Sequence, residues 1–237
     1  METFDGELEW GEVTQHASKI IILACGPSLR QIDIRYLENP IFDDVHVMAI
    51  NRAHDWTDRS NSFFTLDPND WFYDMVTTRM RSEMMYYVGV PEDYGRRDSR
   101  WVTHRSPAVK GPVYLHREIG YGPMRSRRGL SRFSNAIHTG NSAYGALGVA
   151  YHMCCNHPDP SLHKKIVVLG LDGTKEPYAY DSGKPAGSFR HLPALFESAK
   201  PQLDKNRVCV VNGNTFSNIS CFSRLKAMDA LEWLVAE

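Results

Sequence analysis

The chain has 237 residues, enough for one large domain or two small ones, and its 42% hydrophobic and 23% charged residues are those of an ordinary globular protein rather than a disordered, collagenous or coiled-coil one. Lys and Arg number 27 against 28 Asp and Glu, so the formal net charge of -1 excludes a uniformly basic nucleic-acid coat. No apolar run approaches the roughly 20 residues that span a bilayer, and the opening METFDGELEW is acidic with no base, unlike a secretory or transit peptide. A soluble, cytoplasmic protein is expected. Cys25, Cys154, Cys155, Cys209 and Cys221 form no CxxC pair and leave an odd one, which favours small buried hydrophobes over a disulfide framework or a zinc site.

In chain order, residues 20–25 (IIILAC) predict a first strand that runs into Gly26, Pro27 and Ser28. Ser28 is a candidate N-cap for a helix over residues 29–37. Residues 45–50 (VHVMAI) predict a strand ending at Asn51, and residues 62–66 (SFFTL) one ending at Asp67. Asn141 or Ser142 can cap a small-residue helix over 143–153. Residues 165–171 (KIVVLGL) predict a strand ending at Asp172, and residues 207–211 (RVCVV) one ending at Asn212. A helix is expected over 192–203, and an amphipathic one over 224–235 with Leu225, Met228, Leu231 and Leu234 on one face. Near-continuous apolar strands alternating with helices imply an α/β sandwich with a mostly parallel sheet, helices on both faces and right-handed crossovers. The reading is of one domain over residues 1–237.

Such sheets bind ligands at the carboxyl ends of their strands. Ser28, Asn51, Asp67, Asp172 and Asn212 all fall there and form an expected polar rim. Gly26-Pro27-Ser28 is neither GxGxxG nor a Walker A loop, yet a glycine turn before a helix offers free N–H groups to a phosphate. Thr139-Gly140-Asn141-Ser142 repeats the arrangement, and His138 stands beside it. Two such turns suit a phosphate-bearing ligand, and equally suit two capped helices. Residues 173–191 (GTKEPYAYDSGKPAGSFRH) have no strong apolar period and read as a lid carrying Tyr178, Tyr180, Arg190 and His191. Tyrosine hydroxyls can donate to a leaving phosphate, and a histidine can serve as general base. There is no HExxH, no GxSxG and no Asp-x-Asp pair, so nothing visible demands a metal.

Residues 96–132 read as a basic insertion. They hold ten Lys or Arg against two acids, a net of +8 that leaves -9 on the rest of the chain, interleaved with Trp101, Tyr114 and Tyr121. Arg125, Arg127 and Arg128 are candidates for gripping an anionic partner.

The run IIILACGPSLRQIDIRYL, the strand end at Asn51, the turn HTGNSAYGALGVAY, the segment VVLGLDGTKEPYAYD, His191 before a helix and VVNGN together resemble the bacterial sialyltransferases of glycosyltransferase family 42. The GPSL start also resembles archaeal-type 6-hydroxymethylpterin pyrophosphokinases. The first resemblance covers most of the chain outside 96–132. It implies a Rossmann-like domain with a lid, a nucleotide-sugar donor of the CMP type, inversion at the anomeric carbon and no required cofactor or metal. His191 would be the general base, and Tyr178 and Tyr180 would steady the departing phosphate. Gly26, Ser28, Asn51, Thr139, Gly140, Asn141, Ser142, Gly170 and Asp172 would contact the nucleotide or donor sugar. Cys25 and Asp67 stand where that family has Asn, which leaves the donor sugar open. The acceptor, whether a glycan, a small molecule or a nucleic acid, and any homo-oligomer are left open as well. Two rivals remain: a pyrophosphokinase-like phosphotransferase using Mg²⁺ on Asp67 and Asp172, and a binding module that holds nucleic acid on the Arg-rich block.

Overall fold

The computed structural model describes residues 8–68, 70–92, 94, 111–118, 127–138, 141–174 and 189–236. Among these residues one sheet has nine strands: β1 (Lys19–Leu23), β2 (His46–Ile50), β3 (Ser62–Thr65), β4 (Met85–Val90), β5 (Val113–Arg117), β6 (Ala136–Ile137), β7 (Lys164–Leu169), β8 (Val208–Asn212) and β9 (Ser223–Arg224). Their order is β6-β5-β4-β3-β2-β1-β7-β8-β9, and every neighbouring pair is parallel. Strands β1 to β6 are laid outward in sequence on one side of β1. The chain then returns to the other side of β1 and lays β7 to β9. The order therefore reverses between β1 and β7, and an open α/β sheet forms its ligand crevice at the carboxyl end of such a junction. The α/β, Rossmann-like fold is as expected from the strand pattern.

The helices α1 (Asp70–Thr78), α2 (Ser142–Cys155), α3 (Leu192–Glu197), α4 (Lys200–Lys205) and α5 (Ala227–Val235) cover both faces. The two-residue period of β1 sorts its side chains cleanly. Ile20 and Ile22 join a core with Met48, Phe64, Val168 and the helices α2, α3 and α4. Ile21 and Leu23 join an opposite core with Leu29, Leu37, Phe42, Val47 and Leu231 of α5. A third cluster packs Phe72, Met75 and Val76 of α1 on Phe63, Tyr86 and Tyr114. All of 144–154 in α2 is buried, so this helix is apolar all round because it is enclosed all round. Its outer side is closed by α3, where Tyr144 meets Phe196 edge-to-face at 5.2 Å, and by the 129–131 segment. Gln202 fixes that segment, accepting from Leu130 N–H at 2.6 Å and donating to its carbonyl at 2.6 Å.

Several expectations are corrected. The helix expected over 29–37 is instead two 3₁₀ turns, Pro27–Gln31 and Ile34–Glu38. Ser28 is not an N-cap; Gly26 stands at that place, and the Ser28 side chain turns to another partner described below. The helix expected over 192–203 breaks into α3 and α4, because Pro201 cannot donate within a helix interior and instead occupies the first turn of a new one. Met228 stays 38% exposed, and Ala230, Leu231 and Leu234 form the buried side of α5. Within the Arg-rich block, residues Val113–Arg117 are β5, hydrogen-bonded between β4 and β6, so that stretch belongs to the sheet. Cys155 and Cys209 are exposed rather than buried. Among the described residues no helix is long and apolar enough to cross a membrane.

The sheet also half-buries a base. His46 Nε2 lies 2.8 Å from Ser62 Oγ, and burial, aided by the Arg59 guanidinium, lowers its pKa to about 4. The unfolded chain takes up this proton near pH 6.5 while the folded chain does not. Stability that is complete above pH 6.5 is therefore lost as pH falls toward 4, by at most about 1.4 kcal/mol per pH unit. Burial shifts His54 and His152 in the same direction. Replacing His46→Gln should flatten the fall of the urea midpoint between pH 6.5 and 4 by up to one proton. An unchanged slope would refute the assignment.

Candidate functional site

The carboxyl ends of β1 and β7 are joined by contacts that only glycine permits. Gly26 N–H donates to the Gly170 carbonyl at 2.9 Å, and Ala24 N–H donates to Leu169 at 2.8 Å. A methyl group on Gly26 would meet the Asp172 carboxylate at 2.6 Å. Gly170 has φ +72, and a methyl there would meet the Ala24 carbonyl at 2.5 Å. Two backbones thus approach closely enough for the turn after β1 to rest on the loop after β7.

Asp172 locks this contact. Its carboxylate accepts from Ser28 N–H at 2.8 Å, from Ser28 Oγ, and from Asn214 Nδ2 at 2.6 Å. Asn212 sits beneath, fully buried, and donates to the Leu171 carbonyl at 3.1 Å. Ser217 Oγ donates to the same carbonyl at 2.5 Å. Two sequence expectations change here. The first turn has no free N–H groups to offer a phosphate: Gly26 and Ser28 have spent theirs, and Pro27 has none. Ser28 and Asn212 brace the rim from behind rather than line the cavity.

The cavity in front of this brace has a volume of about 400 Å³. Its walls come from the carboxyl ends of β1, β2, β3 and β7 and the amino end of α2. Gly26, Pro27, Asn51, Asp67, Asn141, Ser142, Gly170 and Asp172 all border it, so chain-distant residues of the expected rim do converge. Asn51 has φ 50, the left-handed region in which Asn is among the few residues at ease. Its side chain crosses the floor, accepting from Thr65 Oγ1 at 2.7 Å and reaching Ser142 Oγ at 3.5 Å. Asn141 caps α2 by accepting from Tyr144 N–H at 3.0 Å. The N–H groups of Ser142 and Ala143 are left without an acceptor among the described residues, and both residues border the cavity. The open donors of the site are therefore on α2, the second of the two turns read from the sequence.

Wall residues that the reading did not name as site residues include Arg52, Thr65, Trp71, Ala143, Thr174 and Phe189. Arg52 holds its guanidinium 5.9 Å from the Trp71 ring and 3.5 Å from Asp55. Arg52 follows Asn51 directly, a cue available in the sequence, whereas Trp71 lies on α1, a helix the sequence reading did not contain. Cys25 also borders the cavity and donates to the Ile50 carbonyl at 3.2 Å. Burial pushes its thiol up to about 12, so it is a neutral donor rather than a thiolate.

Other expected residues lie elsewhere. His191 is half-buried at the start of α3, and its neighbours Phe189 and Leu192 border the cavity while it does not. His138 faces Glu118 at 3.1 Å, and Arg127 meets the same carboxylate at 2.6 Å, so Arg127 serves an internal ion pair. Arg128 is exposed. Tyr178, Tyr180, Thr139, Gly140 and Arg125 lie outside the described residues. Among the described residues no group of three His, Cys, Asp or Glu side chains is gathered as a metal ion requires. Compared with protein-family models, with curated proteins and with solved structures, the chain finds no match.

Asp172→Ala would strand Ser28 N–H, Ser28 Oγ and the Asn214 amide in a buried place. Each stranded donor costs about 1–3 kcal/mol, so a total loss of roughly 3 kcal/mol or more is expected in urea unfolding. A loss under about 1 kcal/mol would show that the brace is not held by this carboxylate.

Proposed function

We propose that the chain is a transferase that binds a nucleotide-activated sugar, of the CMP type, in the cavity at the β1–β7 junction and passes the sugar to an acceptor hydroxyl with inversion. The observation that carries this reading is the coincidence of three features in one cavity of ligand size. These are the open N–H groups of Ser142 and Ala143 at a helix amino end, the close backbone approach of Gly26 and Gly170, and an aromatic wall at Trp71. The phosphate belongs at the amino end of α2, where the helix dipole and the unspent donors favour negative charge. Asn51 and Asp67, which border the cavity, would meet hydroxyl groups of the sugar. His191, at the start of α3 beside the wall residue Leu192, is the proposed general base, and Tyr178 and Tyr180 are the proposed donors to the leaving phosphate.

Two alternatives are weaker on specific grounds. The Mg²⁺-dependent phosphotransferase needs two carboxylates, and Asp172 already accepts three hydrogen bonds. The nucleic-acid module needs free arginines, and Arg127 is paired with Glu118.

The test is a thermal-shift panel of CMP, UDP, GDP, ATP and a pterin, with Mg²⁺ and with EDTA. A ligand at 100 times its dissociation constant adds about 2.7 kcal/mol of stability. Stabilisation by CMP that survives EDTA is the expected result. Stabilisation by ATP or pterin only with Mg²⁺ would replace the reading with the phosphotransferase. His191→Ala should then lower turnover by about 10²- to 10⁴-fold with CMP binding unchanged; unchanged turnover removes His191 from the mechanism.

A further inference from the structure

A second hollow of about 540 Å³ opens beside the first and is bordered by Gly173, Thr174, Phe189, Arg190, Pro193 and Asn218. Gly173, Thr174 and Phe189 border both, so occupants of the two hollows would share a wall. The wall is held rather than loose. Asn218 N–H donates to the Asp172 carbonyl at 2.9 Å, and its side-chain amide donates to the Gly173 carbonyl at 3.1 Å. The Asn218 loop is thereby tied to the same Asp172 that organises the donor side. Thr174 Oγ1 is buried with no hydrogen-bond partner among the described residues, a hydroxyl free to meet a ligand. Among the described residues no acidic side chain borders the hollow, and Arg190 is exposed with no ion-pair partner among them.

We infer that the second hollow is the acceptor subsite, and that the acceptor carries an oxyanion, a phosphate or a carboxylate, which Arg190 receives. The guanidinium fork suits either group, and Thr174 adds a hydroxyl beside it. This rests on the reading of the first cavity as the donor site. In the transfer, the anomeric C–O bond to the donor phosphate breaks and its electron pair leaves with the nucleotide. A new C–O bond forms to the acceptor hydroxyl, whose proton passes to His191, the residue after Arg190.

The probes are inorganic phosphate and acetate, titrated into the full chain and followed by NMR of the anion, with CMP binding measured separately on the same proteins. Anion binding should weaken about tenfold or more in Arg190→Gln, return in Arg190→Lys, and leave CMP affinity unchanged. The stronger-binding anion assigns the acceptor as phosphorylated or carboxylated. Equal anion binding in wild type and Arg190→Gln overturns the subsite even if CMP binds. Absence of CMP binding to the wild type overturns the donor reading instead, so the two failures are told apart.

Discussion

One buried carboxylate organises the molecule's working edge. Asp172 joins residues 144 positions apart in the chain, and it does so with a main-chain N–H, a hydroxyl and an amide together. Hydrogen bonds to a carboxylate are stronger than those to a neutral acceptor, and a buried polar group left without partners is costly. The brace therefore depends on all three donors. It also explains why Gly26 and Gly170 are glycines: the carboxylate reaches Ser28 only because the two backbones run within hydrogen-bonding distance, with no room for a β-carbon.

The brace also divides labour between the two helix-starting turns. Both look alike in the sequence, a glycine followed by small polar residues. The first is consumed by structure, since its N–H groups are committed to Gly170 and Asp172. In the second, Asn141 caps Tyr144, and the N–H groups of Ser142 and Ala143 meet no acceptor among the described residues. The long enclosed helix behind them, α2, is the rigid body on which that open end is mounted. Its Tyr144 is pinned by Phe196, and Gly129 of the segment outside it donates to Ser198 Oγ at 2.9 Å.

Much of the fold was legible because a parallel sheet writes its strands as short apolar runs. The strands β1, β2, β3, β7 and β8 stood out for that reason, and with them the residues at their carboxyl ends. The strands β4 and β5 were hidden for opposite reasons. Met85–Val90 follows Arg81-Ser82-Glu83 but ends at Pro91 rather than at the polar or glycine residue that marked the other strands, and Val113–Arg117 sits inside a charged stretch whose net charge drew attention away from VYLHR. Helix α1 was lost with its neighbour β4, and Trp71 with it. The 3₁₀ turns after β1 were read as a helix because LRQIDIRYL has suitable spacing; Asp33 and Asn39 interrupt it by capping the starts of new short turns, Ile34–Glu38 and Pro40–Phe42, where they accept from Arg35 and Ile41 N–H. The destination of the Ser28 hydroxyl depended on a residue far along the chain, which local pattern does not encode.

The position of β1 has a consequence for how the molecule is made. On one side it pairs with β2, which follows soon after, and on the other with β7, whose Lys165 stands opposite Lys19. A ribosome must deliver most of the polypeptide before that second neighbour emerges. Until then the centre of the finished sheet is an unprotected margin of isoleucine-rich backbone, open to wrong partners. The pairing that closes the middle of the sheet waits for the β7 segment to arrive.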